Sequence, residues 1–378
     1  MKKTIKPNYE NSTINMMSSI LNKYGVKTNY KTIGSLDDII KTADKIVLFI
    51  FDGLGNNILN NASANGVFNK NKLSEITSVF PSTTVAGINT ISSGLSPIEH
   101  GWLGWTLYFS EVDRTIEVFR NRYVGHKEDV TLDYYKILKY ENIFSKIKRD
   151  DINCNYFRPN TIPNDMEDAK NYAYKTLKKG LKTLYNEVLN SDKKSFTYFY
   201  YDDPDKTLHI RGTKSFIVKH KIKRIERLVN KYYAKAKENT VFIISADHGL
   251  TDIDGYIYLR DDKDIYKMLK RRTSIETRAT SVLVKNKYKE EFKEIFLKKY
   301  GDKFEVLTKE EAINNNLFGL GKPHDKVDSF IGDYIVIAKD KWCLHYSTEH
   351  KNKFKASHAG MTEDEMIIPL IVMNKTKK

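Results

Sequence analysis

The sequence has 378 residues, of which 40% are hydrophobic and 29% are charged, as in an ordinary soluble globular protein. The 63 Lys and Arg residues outnumber the 48 Asp and Glu residues, giving a formal net charge of +15; this excess favours anionic partners or simply a solvated, lysine-rich surface. The two cysteines exclude a disulfide framework and a cysteine zinc site, and no apolar run reaches the ~18 residues that a membrane helix needs.

The length is typical of one large domain, so we expect a single catalytic domain over residues 1–378. Its core is predicted at about 42–110, 140–255 and 350–378. The charged stretch at about 256–349 is a predicted insertion or cap, and the aromatic stretch 102–160 is a second candidate insertion. Because no apolar segment follows the basic start of the chain, the sequence predicts a cytoplasmic protein.

Strands are predicted wherever a short, continuous apolar run occurs, since such runs are typical of strands buried on both faces. Three of these runs end at Phe51, Tyr201 and Ser245. Further strand candidates lie at residues 281–284, 334–338 and 367–372.

Helices are predicted where apolar residues recur at a spacing of three or four. This pattern occurs around residues 14–21, 166–188 and 225–232. A further helix is expected from Thr84 to Gly94, because Pro81 precedes it and a glycine ends it. Buried strands that alternate with helices predict an α/β fold with a doubly wound, mostly parallel sheet, helices on both faces and a small inserted cap or subdomain.

Carboxylates follow each of the three apolar runs: Asp52, the group of Asp202, Asp203 and Asp205, and Asp247. The carboxyl ends of strands in an open α/β sheet form the ligand-binding edge, so these side chains should converge. Any one of them could instead be an ordinary turn or helix-capping residue.

Three histidines accompany the carboxylates. His248 directly follows Asp247, and His209 lies four residues after Asp205, a spacing that puts both side chains on one face of a helical turn. His358 precedes the last strand candidate and could reach the same edge. Mixed Asp and His ligands without Cys suit Zn²⁺, Mn²⁺ or Fe better than Mg²⁺ or Ca²⁺.

A nucleophile is predicted at Thr84, in the segment Phe80-Pro81-Ser82-Thr83-Thr84. A hydroxyl at a helix N-terminus lies beside free backbone N–H groups and the positive end of the helix dipole, which favour an alkoxide and bind phosphate. The alternative is that the residue only caps the helix.

Six short motifs occur in a recognisable order along the chain. They are Phe51-Asp52-Gly53-Leu54-Gly55, the segment ending in Thr84, Gly94-Leu95-Ser96-Pro97 with His100-Gly101, Pro204-Asp205 with His209 and Gly212, Ser245-Ala246-Asp247-His248-Gly249, and His358-Ala359-Gly360-Met361. Together they resemble the type I phosphodiesterase/nucleotide pyrophosphatase branch of the alkaline phosphatase superfamily.

The resemblance implies two divalent metal ions, with zinc expected and manganese as the alternative. One ion would be held by Asp205, His209 and His358. The other would be held by Asp52, Asp247, His248 and the oxygen of Thr84. The position of Thr84 after the proline, rather than that of Thr83, matches the family's nucleophile, so a phosphothreonine intermediate is expected.

One departure from the family concerns Trp105, which stands where phosphodiesterases of this family carry an Asn that donates to the phosphate. Thr106 could supply a hydroxyl in its place. Trp102 and Trp105 could form a stacking wall for a base, or they could pack in the core.

The expected function is hydrolysis of a nucleotide or similar small phosphodiester. The expected partner is thus a small anionic phosphoester, with no stable nucleic-acid complex and the oligomeric state left open. A phosphomonoesterase, a phosphonate hydrolase or a sulfatase is the alternative, although the Cys/Ser-x-Pro-x-Arg signature of sulfatases is absent. A basic anion-binding protein with a degenerate site is a third hypothesis.

Overall fold

The computed structural model describes residues 3–126, 128–163, 166–348 and 354–375. Strands and helices are numbered separately in chain order. The strands are β1 (Lys45–Phe51), β2 (Lys72–Thr77), β3 (Thr106–Phe109), β4 (Arg114–Glu117), β5 (Arg122–Tyr123), β6 (Asn153–Pro159), β7 (Lys170–Tyr174), β8 (Ser195–Tyr201), β9 (Thr240–Ser245), β10 (Thr251–Asp252), β11 (Gly255–Tyr258), β12 (Ser274–Ile275), β13 (Ala279–Val282), β14 (Phe304–Thr308), β15 (Tyr334–Ala338), β16 (Trp342–His345), β17 (Ala356–Ser357) and β18 (Ile367–Asn374).

The α-helices are mostly short, and only α1, α5, α11 and α13 reach ten residues. They are α1 (Thr13–Lys23), α2 (Gly34–Ile40), α3 (Asn56–Ser63), α4 (Val67–Lys70), α5 (Thr84–Ser93), α6 (Pro97–His100), α7 (Tyr134–Ile137), α8 (Ile143–Ile147), α9 (Leu177–Leu184), α10 (Asp205–Arg211), α11 (Phe216–Lys235), α12 (Lys263–Tyr266), α13 (Lys289–Tyr300), α14 (Lys309–Asn314), α15 (Val327–Ile331) and α16 (Glu363–Met366). Within the described ranges, no helix combines the length and the apolar character that crossing a membrane requires.

The central sheet has the strand order β2-β18-β9-β1-β8-β6-β7. Its five strands from β9 to β7 are parallel, while β18 runs antiparallel to both β9 and β2. The middle strand β1 is buried along its whole length, which explains its uninterrupted apolar sequence after Lys45.

Helices cover both faces of this sheet, as the alternation of side chains along the strands requires. On one face Phe196 of β8 contacts Tyr24, the residue that ends α1, and Phe144 of α8. On the other face Phe242 of β9 contacts Tyr233 of α11. The expected α/β fold, with a large, mostly parallel sheet and helices, is therefore confirmed.

A second sheet is antiparallel throughout, with the order β14-β15-β13-β12-β3-β4-β5. Its strands come from two separate segments, 106–123 and 274–338. The proposed domain boundaries remain a prediction, but these two segments meet in one sheet. The junction is narrow, because β12 and β3 pair only through Ile275 and Thr106.

The helix predicted over residues 166–188 is wrong in its first half. Residues Lys170–Tyr174 form β7, which pairs in parallel with β6 at the sheet edge, and helix α9 begins only at Leu177. A π-helical turn then covers Tyr185–Leu189. The spacing of Met166, Ala169 and Ala173 suits a helix, but pairing with β6 determines the local structure.

Candidate metal centre

The carboxyl ends of the three adjacent strands β9, β1 and β8 bring the predicted aspartates together. The loop after β1 is joined to its neighbours by backbone hydrogen bonds: Asp205 N donates to Asp52 O at 2.9 Å, and Asp52 N donates to Tyr201 O at 3.0 Å. Gly53 N donates to Oδ1 of Asp247 at 3.1 Å. The backbone therefore fixes the relative positions of all three carboxylates.

The first group of potential ligands, here called the buried cluster, consists of Asp52, Asp247 and His248. One ligand atom from each lies within 4.8 Å of the others, and all three residues are buried. Nε2 of His248 is 3.4 Å from Oδ1 of Asp52 and 3.5 Å from Oδ2 of Asp247.

The second group, here called the rim cluster, consists of Asp205, His209 and His358, which are half-buried and also lie within 4.8 Å of one another. Helix α10 puts Asp205 and His209 on one face, with Nε2 of the histidine 3.3 Å from Oδ1 of the aspartate. The ring of His358 stacks on that of His248 with centroids 3.9 Å apart, so the two clusters adjoin.

The pKa values of the clustered side chains are shifted because several charges lie close together and are buried away from solvent. Burial, and then the neighbouring carboxylates, raise the pKa of Asp52, and burial likewise raises that of Asp247. Burial also acts to raise the pKa of Asp205, but His209 and His358 outweigh it and the pKa is lowered. In the same cluster burial lowers the pKa of His358.

The donor set fits two divalent cations. Oδ1 of Asp205 and Oδ2 of Asp247 are buried atoms to which no residue in the described part of the chain donates a hydrogen bond. Leaving such atoms without a partner is costly, and a cation would offset this cost. Each cluster offers three Asp and His atoms, the number and type that hold zinc in catalytic sites.

Thr84 is the first residue of α5 and lies against the buried cluster. Its Oγ1 is 3.1 Å from Nε2 of His248 and 3.5 Å from Oδ1 of Asp52. The preceding residue, Thr83, is the N-cap, but its hydroxyl donates to Glu276 at 2.7 Å instead of capping the helix. The two neighbouring threonines therefore have different surroundings, and only Thr84 adjoins the predicted ligands.

The sequence profile of the type I phosphodiesterase / nucleotide pyrophosphatase family matches residues 46–361 of this chain. The chain belongs to this family. It is accordingly a hydrolase that acts on phosphoric ester or anhydride bonds. No curated protein matches the sequence well enough to count as a relative.

Among solved structures, this family member is similar to murine ectonucleotide pyrophosphatase / phosphodiesterase 5. The TM-score is 0.66 at 17% sequence identity, covering 88% of this chain and 91% of that one. An inactive form of the murine protein in complex with AMP gives a TM-score of 0.65 at 16% identity, covering 88% of this chain and 90% of that one. The human protein gives 0.64 at 17% identity, also covering 88% and 90%. At these identities the comparison shows a common alkaline phosphatase-like fold.

The residues predicted to contact substrate in this phosphodiesterase-family chain, Trp105 and Thr106, and the neighbouring Trp102 have different surroundings. The half-buried Trp105 ring contacts Phe119 edge-on, and the guanidinium of Arg120 lies 5.5 Å from the ring centre. The hydroxyl of Thr106 donates to the carbonyl of Ile275 at 3.3 Å, which occupies it within the second sheet. Trp102 is only 3% exposed, and its Nε1 donates to Leu138 O, so this ring packs in the core.

An open pocket of about 510 Å³ lies beside these aromatic residues. The aromatic residues Trp102, Phe119 and Tyr135 line it, together with Lys136. Ile88, one helical turn after the predicted nucleophile on α5, also lines the pocket. A cavity of this size is in the range that holds small organic ligands.

Two residues that contact the predicted site residues, Tyr200 and Glu276, were not identified from the sequence. The hydroxyl of Tyr200, on β8, donates to Oδ2 of Asp52 at 2.5 Å. Glu276, from the second sheet, accepts from Thr83 and from the backbone N of Trp105 at 2.8 Å. Burial raises the pKa of Glu276 to about 6. Neither residue lies in a motif, and only the folded chain brings them to the site.

The loop that carries His358 is fixed by a fully buried ion pair. Arg278 donates from Nε and one Nη to the two oxygens of Glu365, at 2.6 and 2.8 Å. The same carboxylate accepts from Gly360 N at 2.8 Å and from the Thr362 hydroxyl at 2.5 Å. The second sheet thereby positions a ligand of the rim cluster.

Proposed function

We propose that this chain hydrolyses a small phosphodiester, of the nucleotide class, through a phosphothreonine intermediate on Thr84. The observation that carries the proposal is the position of the Thr84 hydroxyl, at the N-terminus of α5 and 3.1–3.5 Å from two members of the buried cluster. Backbone N–H groups at a helix N-terminus attract the negative charge of a phosphoryl group. A hydroxyl at this position is placed for attack on phosphorus.

The two clusters would hold one divalent ion each, zinc being expected and manganese the alternative. Such ions supply Lewis-acid stabilisation for phosphoryl transfer. The Thr84 oxygen would join the buried cluster as a ligand, while His209, His358 and Asp205 would serve the second ion. These roles rest on the donor types and on the two unpartnered carboxylate oxygens.

The reaction has two displacements in this proposal. Thr84 Oγ1 loses its proton and bonds to phosphorus, and the bond to the leaving alcohol breaks with its electron pair. The leaving oxygen takes up a proton. Water then attacks phosphorus, a phosphomonoester is released, and Thr84 Oγ1 regains a proton.

A nucleotide substrate is favoured by the aromatic pocket next to the nucleophile helix, and by the AMP bound to the similar murine protein. Phe119 lines this pocket and Trp105 contacts Phe119, and stacking of such a ring on a base contributes roughly 1–3 kcal/mol. We place Trp105 in substrate contact and give Thr106 only a secondary role, since its hydroxyl is already bonded. A phosphomonoesterase or phosphonate hydrolase remains the second candidate. A cytoplasmic location stays a prediction from the sequence.

Substitution of the nucleophile tests this proposal. Thr84→Ala should lower kcat on a chromogenic diester by about 10³-fold or more, because the covalent route needs that oxygen. Thr84→Ser keeps a hydroxyl and should retain much of the rate. Thr83→Ala is the neighbouring control and should have a milder effect.

Acid-quenched protein should also carry a phosphoryl group on Thr84, detectable by mass spectrometry. Near-normal turnover by Thr84→Ala, together with loss of activity in Thr83→Ala, would show that the nucleophile is wrongly assigned. Turnover that persists in protein shown by elemental analysis to be free of metal would contradict the two-ion centre.

A further inference from the structure

Glu276 brings a carboxylate from the second sheet to the N-terminus of α5, beside the candidate metal centre. It lies between β12 and β13, and its Oε1 accepts from the Thr83 hydroxyl at 2.7 Å and from Trp105 N at 2.8 Å. Thr83 is next to the proposed nucleophile. Trp105 occupies the position at which phosphodiesterases resembling this chain carry an amide donor for the phosphate. An acid therefore stands close to where a phosphoryl group would bind.

The backbone holds Glu276 in place. Ile275 has φ = +73°, in a region that β-branched residues rarely adopt, and it is fully buried. A Cβ at Gly104 would lie only 2.8 Å from the carbonyl oxygen of Ile275, so the two segments are in close contact. The Thr280 hydroxyl also donates to Glu276 O at 2.7 Å. Strain of this kind persists where the surroundings enforce it and is concentrated at functional sites.

No lysine or arginine in the described part of the chain neutralises this carboxylate. Besides its two hydrogen bonds, the groups that lower the pKa of Glu276 are His248 and His209. One belongs to the buried cluster and the other to the rim cluster. The hydrogen bond from Thr83, the neighbour of Thr84, holds the carboxylate beside the N-terminus of α5, where a bound phosphoryl group would meet its charge.

We propose that Glu276 determines specificity by favouring phosphodiester monoanions over phosphomonoester dianions. The inference rests on the proposed function, since it concerns the substrate of the same site. A second negative charge on the phosphoryl group is repelled by a carboxylate bonded to the residue next to the nucleophile, and partial exclusion of water strengthens the repulsion. Trp105 adds no side-chain amide that could offset this repulsion.

The decisive variant is Glu276→Gln, which keeps an oxygen able to accept from Thr83 and Trp105 N but removes the charge. The assay compares kcat/KM for the monoester p-nitrophenyl phosphate with kcat/KM for the diester bis(p-nitrophenyl) phosphate. At pH 8.5 the metal-loaded variant should have a monoester-to-diester ratio about ten- to a hundredfold higher than that of the wild-type protein. Its affinity for inorganic phosphate, measured by calorimetry, should rise by a similar factor, while its affinity for diethyl phosphate should change little. Phosphate binding provides a readout that does not depend on turnover.

Glu305→Gln is the matched control. Glu305 is also half-buried, and it lies on β14, three strands from β12 in the same sheet. Its substitution should leave the substrate ratio and the phosphate affinity unchanged. Glu276→Ala removes the acceptor as well and should also reduce activity on both substrates.

Three outcomes would overturn the assignment: Glu276→Gln leaves the substrate ratio and the phosphate affinity unchanged, it lowers both activities equally, or it weakens phosphate binding. The first two would make Glu276 a purely structural residue, and the third would make it a phosphate ligand. Failure of the wild-type protein to hydrolyse either ester would instead refute the proposed function. Tighter phosphate binding by Glu276→Gln would still be measurable in that case.

Discussion

The buried ion pair between Arg278 and Glu365 leads to a strong prediction about stability. Both side chains have zero exposure, and the carboxylate accepts hydrogen bonds from the guanidinium, Gly360 and Thr362. Glu365→Gln preserves the shape but leaves the buried guanidinium without a counter-ion. The amide group of the variant also presents donors where only donors surround it. Loss of one partner of a buried pair costs about 3–5 kcal/mol.

Urea unfolding of the two proteins at pH 7 measures this loss as a difference in the free energy of unfolding. The control is Glu128→Gln, which removes the solvent-exposed partner of Arg114 and should leave stability unchanged within error. A cost below about 1 kcal/mol for Glu365→Gln would refute the reasoning, because it would mean that the buried guanidinium does not depend on its partner.

The pH dependence of stability gives an independent check that ionised Glu365 stabilises the fold. Burial acts to raise the pKa of Glu365, but the charge and hydrogen bonds of Arg278 outweigh it, so the pKa in the folded protein is lowered. Its stabilising contribution is therefore present in full above the unfolded-state pKa of about 4.3 and is lost as the pH falls through the folded-state pKa. The stability gap between wild type and variant should shrink in that acidic range. A gap that stayed constant down to full acid unfolding would contradict the pairing.

Three further predictions concern the site. Zn²⁺ added to chelator-treated protein should raise its thermal midpoint, since the ion binds the folded state, and His209→Ala should reduce that shift; an equal shift in both proteins would exclude the rim cluster. Gly87→Ala should impair stability and turnover, because its Cβ would lie 2.9 Å from Cβ of Asp247, whereas Gly34→Ala, with nothing within 4 Å, should do neither. Trp105→Ala should raise KM for a nucleotide about ten- to a hundredfold and spare a small chromogenic diester; equal losses on both, with a large drop in stability, would assign the ring to the core.

The sequence allowed the middle strands of the central sheet to be predicted because they are buried on both faces. Each of β1, β8 and β9 is a continuous apolar run followed by an aspartate, and the helix after Pro81 ends at Gly94, whose φ of +68° suits glycine. Local sequence patterns carry this information directly. The six predicted ligand residues were assigned from similar patterns, at strand ends, at helical spacing or before the last strand, and their role as metal ligands stays a prediction.

The remaining parts depend on contacts between distant segments. Strand β7 was misassigned because its apolar spacing also suits a helix and only its pairing with β6 decides between the two. Glu276 and Tyr200 could not be predicted as site residues, since 193 positions separate Glu276 from Thr83 and 148 separate Tyr200 from Asp52. The second sheet likewise joins segments that are far apart in the chain.

The position of β18 has a consequence for how the chain is made. It separates β2 from β9 in the sheet, although it follows both in the sequence. During synthesis at about 5–20 residues per second, the roughly 130 residues after β9 take on the order of 10 s to emerge. Until then β2 and β9 expose unpaired edges that can recruit strands from other chains. A nascent chain stalled within this interval should therefore be a preferred client of chaperones, and the finished chain should not.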